Sequence, residues 1–213
     1  YSRRLPTLIR EVIERQAAKP PLPITGRFAP GKQRALITEV MKAFGFRFDR
    51  GRLDESDHPF TEGVAGDIRV TTKLDPADPF KGLLAALHET GHALYDLGVP
   101  REWRTQPVGK ERGMALEESQ SLLIEMIVCR SRPFLQYLKP LLEKHFAVSG
   151  PEWESDNLYR VLTQVRRTPI RVDADEVTYN LHVMLRFGLE LDLLEGRVEV
   201  KDLANVWRER FEA

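Results

Sequence analysis

The sequence of 213 residues contains a single cysteine, Cys129. One cysteine cannot build an internal disulfide framework, which excludes the small disulfide-rich folds of secreted proteins and favours a reducing compartment. We therefore expect a cytoplasmic protein in which Cys129 is a small core residue of a helix. The motif CxxC is also missing, so a structural zinc site built on cysteine is excluded.

Long apolar runs and an excess of charge of one sign are missing as well. The chain has 32 basic and 32 acidic residues, and the basic ones are spread along it. We therefore expect no membrane span and no nucleic-acid partner. With 42% hydrophobic and 30% charged residues, the composition is typical of a soluble globular protein, and we predict a single domain over residues 1–213.

Hydrophobic spacing predicts a mainly α protein, of the α+β class with helices dominant. Residues 20–23 contain three prolines and are expected to form a stiff linker. The predicted helices cover residues 5–13, 31–44, 80–97, 113–130, 152–165, 175–195 and 201–212. Short strands are predicted at 46–48 and 68–72, and an extended segment at 170–172.

The segment His88-Glu89-Thr90-Gly91-His92 lies in the middle of the third predicted helix. On a helix, histidines four residues apart are separated by only about 40° around the axis, so both imidazoles can bind one metal ion. The glutamate between them can then take a proton from water, as in zinc peptidases. The alternative is a pair of core histidines that hydrogen-bond to neighbouring carboxylates.

A catalytic zinc site uses three protein ligands and leaves one position for water, which suits two histidines and one carboxylate. Glu117 and Glu118, in the next predicted helix, are the candidates for that carboxylate. Neighbours on a helix diverge by about 100°, so only one of the two can point at the metal. Glu118 shares its helix face with Ser121 and Glu125.

Five separated motifs together resemble those of the carboxypeptidase Taq family of metallocarboxypeptidases. They occur in the family's order and span roughly residues 20–185. They are His58-Pro59-Phe60, Asp67-Ile68-Arg69-Val70-Thr71, the segment from His88 to His92, Glu118-Ser119-Gln120, and Ile170-Arg171-Val172-Asp173-Ala174-Asp175.

The resemblance implies a mostly helical, zincin-like fold in which the metal-binding helix packs among long helices beside a small sheet. It implies a zinc-dependent exopeptidase, activated by cobalt in some members, that removes single residues from peptide C-termini as a homodimer. By resemblance, His88, His92 and Glu118 are metal ligands and Glu89 is the general base.

The resemblance implies that Arg69 and Arg171 bind the substrate carboxylate or organise the site. Because a guanidinium donates two parallel hydrogen bonds to a carboxylate, Arg171 is the first candidate for the substrate carboxylate and Arg69 the second. The alternative for Arg69 is an ion pair with Asp67 or Asp57. For Arg171 it is an ion pair with one of the two aspartates that follow it.

Asp175, Tyr179 and His182 share one face of the long helix predicted near the C-terminal end. Tyr179 and His182 are candidates to stabilise a developing oxyanion. Asp175 and Glu125 are candidates to orient a ligand histidine through its second nitrogen. The alternative for the helix face is a hydrogen-bonded cluster that joins helices.

Two departures from the family pattern lead to further expectations. Glu117 stands where the family has histidine, and the sequence stops before the family's late Gly-x-x-Gln-Asp-x-His-Trp motif. We therefore expect a partial or shortened member. A degenerate metal-binding domain kept for dimerisation or partner binding is the alternative function, and an endopeptidase is a third.

Overall fold

The computed structural model describes residues 3–64 and 66–212. The chain divides into two compact units, a terminal unit of Tyr1–Pro20 with Thr163–Ala213 and a central unit of Pro21–Leu162. The single domain that the sequence predicts stays a prediction.

Within the described residues there are eight α-helices and one three-stranded sheet. In chain order they are α1 (Leu5–Ala17), α2 (Pro30–Ala43), β1 (Gly51–Glu55), β2 (Thr61–Val64), β3 (Asp67–Thr72), α3 (Lys81–Leu97), α4 (Met114–Leu122), α5 (Arg132–Phe146), α6 (Ser155–Leu162), α7 (Tyr179–Leu194) and α8 (Leu203–Glu212). The predicted mainly α class is therefore confirmed. Within the described ranges, no helix is long and apolar enough to cross a membrane.

The hydrophobic core of the central unit lies between α2, α3, α5 and the sheet. Apolar side chains recur at helical spacing on one face of each helix, and burying that face stabilises the helix more than its intrinsic propensity does. In α2 and α5 these buried residues are Leu36, Ile37, Val40, Met41, Phe134, Leu135, Leu138 and Leu142. The core positions α3, the helix that carries both motif histidines.

The sheet has the strand order β1-β3-β2, with β3 parallel to β1 and antiparallel to β2. In strand β3, Ile68 is buried and Arg69 is exposed, and the last three residues, 70–72, are all buried. This burial fits the middle position of β3 in the sheet. The Thr72 hydroxyl donates to the carbonyl of Gly82 at 2.7 Å, which fixes β3 to the first turn of α3. At the other side of the strand, the Phe60 amide donates to the Thr71 hydroxyl at 3.0 Å, so two of the family-like motifs contact each other directly.

Helix α4 continues into a π-helical turn, Leu123–Val128. This turn is closed by a hydrogen bond from the Cys129 amide to the carbonyl of Ile124 at 2.8 Å, a separation of five residues. The π turn carries Glu125, and the buried Cys129 anchors its end in the core.

In the terminal unit, the side chain of Gln16 links α1 to the chain that precedes α7. Its amide nitrogen donates to the carbonyl of Thr163, and its oxygen accepts from the amide of Val165, both at 3.1 Å. Helices α7 and α8 contact each other, with the rings of His182 and Phe211 centred 5.6 Å apart. The predicted helix at 201–212 is confirmed by α8 and the short 3-10 turn before it.

Several predictions about local structure are wrong. Residues 46–48 do not form a strand: residues 46 and 47 are irregular and residue 48 lies in a turn. Phe46 and Phe48 pack edge to face against each other, and the first strand starts only at Gly51. Of the segment 170–172 only Ile170 is extended, since Arg171–Asp173 form a 3-10 turn. Helix α6 ends at Leu162, and α7 begins four residues later than predicted.

Candidate metal centre

His88 and His92 lie one turn apart on α3, and both side chains are largely buried. Their rings are 5.1 Å apart and inclined at 71° to each other. The two Nε2 atoms therefore face one region from different directions, as the spacing of four residues predicts.

Glu118, on α4, brings a carboxylate to both imidazoles. Its Oε2 lies 3.7 Å from His88 Nε2 and 3.3 Å from His92 Nε2. One ligand atom from each of these three residues lies within 4.8 Å of the other two. Donors about 2 Å from a tetrahedral zinc ion are about 3.3 Å apart, and the two distances from Glu118 are close to this value. The Glu118 side chain is 38% exposed, which leaves the centre open on one side.

The second nitrogen of each imidazole also faces a carboxylate. His88 Nδ1 donates to Glu125 Oε2 at 2.9 Å. Glu117 Oε1 lies 3.1 Å from His92 Nδ1, although this nitrogen is not aligned for a hydrogen bond. A carboxylate at Nδ1 fixes the proton there and leaves Nε2 free to bind a metal ion. The structure shows this hydrogen bond at His88, whereas Glu117, which departs from the family pattern, lies beside His92 Nδ1 without forming one.

These contacts change the pKa of the three groups. Burial lowers the pKa of His88, but the hydrogen bond with Glu125 and the charges of the other glutamates outweigh it and raise the pKa overall. The hydrogen bond with Glu118 raises the pKa of His92, and the same contact lowers the pKa of the Glu118 carboxyl. The glutamates therefore place negative charge around both imidazoles.

Glu89 is buried next to the histidines, and strand β2 holds its side chain in place. The Thr61 hydroxyl lies 2.8 Å from Glu89 Oε2 and 2.9 Å from the Glu89 carbonyl oxygen. This contact joins residues 28 positions apart in the sequence. It fixes the rotamer of the carboxylate that the sequence predicts to be the general base.

Arg69 projects from the exposed side of β3 and donates to Asp67 at 3.0 Å. This ion pair is the alternative that the sequence left open for Arg69. Asp57, the other proposed partner, instead pairs with Lys73 at 3.3 Å. A substrate-binding role for Arg69 stays a prediction.

The remaining predicted site residues belong to the terminal unit. Arg171 donates to the Tyr179 hydroxyl, and its guanidinium lies 5.4 Å from the centre of that ring. His182 is buried, with Nε2 3.1 Å from the carbonyl of Thr168. Asp175 precedes α7 and accepts from the amides of residues 166, 177 and 178, so it stabilises the start of that helix. Their roles toward substrate or ligand stay predictions.

Two further residues contact the centre without having been singled out in the sequence. Thr61 contacts Glu89, and Arg130 contacts Glu125 through Nη2 at 3.3 Å. Neither residue belongs to a spacing pattern in the sequence. The Thr61 contact depends on the packing of β2, and the Arg130 contact depends on the π turn. The only sequence signal is that Thr61 directly follows the His-Pro-Phe motif.

The sequence model of the carboxypeptidase Taq (M32) metallopeptidase family matches residues 2–213. The chain belongs to this family. It is 37% identical over 180 residues to a thermostable carboxypeptidase 1 of Thermus thermophilus and 32% identical over 190 residues to a carboxypeptidase 1 of Bacillus subtilis. These alignments cover 84% and 89% of the chain, but only 35% and 38% of the relatives.

Solved structures of family members superpose on nearly the whole chain. The metallocarboxypeptidase 1 of Trypanosoma cruzi matches with a TM-score of 0.93 and 41% identity, over 98% of this chain and 44% of its own. The M32 carboxypeptidase of Deinococcus radiodurans matches with a TM-score of 0.89 and 36% identity, over 98% of this chain and 43% of its own. The chain thus spans less than half the length of the relatives it matches.

Proposed function

We propose that the chain is a metal-dependent carboxypeptidase, or the catalytic core of one, that removes residues from the C-terminus of peptides. One observation carries this proposal: the Nε2 atoms of His88 and His92 and a carboxylate oxygen of Glu118 converge, with Glu89 beside them. Family membership supplies the reaction class.

We further propose that His88, His92 and Glu118 hold a zinc ion, with cobalt as a functional substitute. Two imidazoles and one carboxylate are a common ligand set of catalytic zinc. When bound, such a cation supplies Lewis-acid polarisation of the scissile carbonyl and of water. The open side next to Glu118 leaves access for substrate and solvent.

Glu89 is the general base of the proposed reaction. Its carboxylate accepts the proton of the attacking water and passes it to the leaving amine as the peptide bond breaks. The hydroxyl of Thr61 keeps this carboxylate in one orientation, so that the proton acceptor does not need to reorganise in each cycle.

Recognition of the substrate carboxylate is assigned to arginine. Arg171 is the first candidate, because the Tyr179 hydroxyl and ring already restrict its guanidinium. Arg69 is the second, since its side chain is 53% exposed although it pairs with Asp67. Tyr179 and His182 remain candidates to stabilise the oxyanion, and Asp175 remains a candidate to orient a ligand histidine.

The test is to incubate the purified protein with zinc or cobalt and a short peptide blocked at its N-terminus, and to follow the products by mass spectrometry. We expect loss of single C-terminal residues. The matched control is the same peptide with a C-terminal amide, which should resist cleavage because it lacks the carboxylate that the arginine binds.

Other products would favour other functions. Cleavage at internal bonds of both peptides would indicate an endopeptidase. Stoichiometric metal without turnover would favour a degenerate metal-binding domain kept for dimerisation or partner binding. The homodimer and the cytoplasmic location follow from the resemblance and from the single cysteine, and both stay part of the proposal.

A further inference from the structure

Arg130 lies directly behind the metal centre, beyond Glu125. Its side chain is only 11% exposed, and Glu125 is only 17% exposed. Arg130 Nη2 lies 3.3 Å from Glu125 Oε1, and Nη1 donates to the carbonyl of Leu162 at 3.0 Å. The guanidinium thus spans two acceptors, one on the π turn and one at the end of α6.

The two oxygens of Glu125 have different partners. Oε2 accepts the hydrogen bond from His88 Nδ1 at 2.9 Å, and Oε1 faces Arg130. A carboxylate can only accept, so the nitrogen that faces it carries the proton. His88 therefore has its free electron pair on Nε2, the nitrogen that faces Glu118.

The π turn makes the contact between Glu125 and Arg130 possible. In an α-helix, residues five apart point about 140° away from each other. The hydrogen bond from Cys129 to Ile124 widens the turn by one residue, which brings positions five apart onto the same side. The carbonyl of Leu162, the last residue of α6, is one of the helix-end acceptors that lack a partner within the helix, and Arg130 supplies one.

We propose that Arg130 is a positioning residue of the metal centre, which acts on His88 through Glu125. The planar guanidinium holds Glu125 between the end of α6 and the imidazole, and it supplies the positive charge that a buried carboxylate needs. This inference rests on the proposed metal site at His88, His92 and Glu118.

The test is a double-mutant cycle in which metal affinity is measured for the full chain and for the variants Arg130→Met, Glu125→Gln and the double variant. Affinity for Zn²⁺ is measured by competition with a chromophoric chelator at one fixed pH. The visible absorption of bound Co²⁺ reports the ligand arrangement. We expect each single substitution to weaken binding about tenfold, within the range of about 10- to 100-fold typical of groups that orient a ligand. The double variant should bind no more weakly than Glu125→Gln alone.

Arg132→Met is the matched control. Arg132 also contacts α6, through Asp156, but it makes no contact with Glu125 among the residues that the structure describes. This variant should keep wild-type metal affinity and the wild-type cobalt spectrum. If Arg130→Met does not fold, the same measurements are made on Arg130→Lys. An ammonium group cannot reach both acceptors in the geometry of the guanidinium, so we expect intermediate affinity and a changed cobalt spectrum.

The outcomes separate the two proposals. If the wild-type chain binds neither metal, the proposed metal site is wrong and this inference falls with it. If the wild-type chain binds metal and a folded Arg130 variant binds equally well, only the role of Arg130 is wrong. The role of Arg130 would also be wrong if Arg130→Met lowered metal affinity by the same factor in the wild-type chain and in Glu125→Gln. The arginine would then act independently of Glu125.

Discussion

Gly91 packs directly on Ser121, where α3 crosses α4. A β-carbon at position 91 would lie 2.5 Å from the Cα of Ser121 and 2.7 Å from the carbonyl oxygen of Gln120. Both neighbours are backbone atoms, so they cannot move aside without moving the helix. The glycine of the metal-binding motif therefore sets the distance between the helix that carries the histidines and the helix that carries Glu118.

Gly91→Ala should separate α3 from α4 and move Glu118 away from the imidazoles. We expect weaker metal binding and a loss of about 1–3 kcal/mol in the free energy of unfolding, as is typical of overpacked sites. Chelator competition and urea denaturation measure the two effects. Gly188→Ala in α7 is the control, because a β-carbon there meets nothing within 4 Å. That change should be neutral or stabilise by about 0.5–1 kcal/mol, since alanine favours helix.

Thr61→Val removes the hydroxyl that holds Glu89 and keeps the shape of the side chain. We expect kcat to fall about tenfold or more, because a hydrogen bond to a charged group contributes about 1.5–3 kcal/mol. Metal content should stay unchanged, because Thr61 contacts none of the three proposed ligands. Steady-state kinetics with metal analysis check both expectations, and Thr61→Ser should restore activity. Full activity of the valine variant would argue against a positioned Glu89.

The roles of Glu89 and Glu118 can be separated by one substitution in each. Glu89→Gln should abolish hydrolysis and leave metal content nearly intact, since the amide cannot accept the proton. Glu118→Ala should lower metal occupancy, because it removes the carboxylate shared by both imidazoles. Metal analysis after dialysis, beside the peptide assay, distinguishes the two. An active glutamine variant would mean that Glu89 is not the base.

The sequence predicts the local parts of this centre well, because they follow from helix periodicity. The spacing of four residues places His88 and His92 on one face, and the divergence of neighbours implies that only one of Glu117 and Glu118 can face Nε2. In the structure, Glu118 is at both Nε2 atoms and Glu117 is at Nδ1 of His92.

Features that depend on tertiary packing could not be predicted in this way. The contact between Thr61 and Glu89 exists because the edge strand β2 lies against α3. No residue pattern in the sequence specifies the π turn. Helix α5 lies where the sequence yields no predicted helix, and it contains Pro140, although proline normally ends a helix. Packing of its apolar face outweighs that preference.

Cys129 offers a measure of metal binding that does not depend on catalysis. The residue is fully buried at the end of the π turn, and burial raises the pKa of its thiol far above the usual range. The native protein should therefore react with iodoacetamide only when this region opens. As the chain's single cysteine, it gives an unambiguous labelling signal.

Bound metal should slow this labelling, because a ligand that binds only the folded state stabilises it by about 2.7 kcal/mol at 100 times its Kd. We expect zinc at that concentration to reduce the labelling rate about 100-fold, and EDTA to restore it. Glu118→Ala, with its metal site impaired, should label at the same rate with zinc and with EDTA. The Cys129 thiol is buried in the core that positions α3. If the wild-type chain were labelled at equal rates with zinc and with EDTA, metal would not stabilise the central unit.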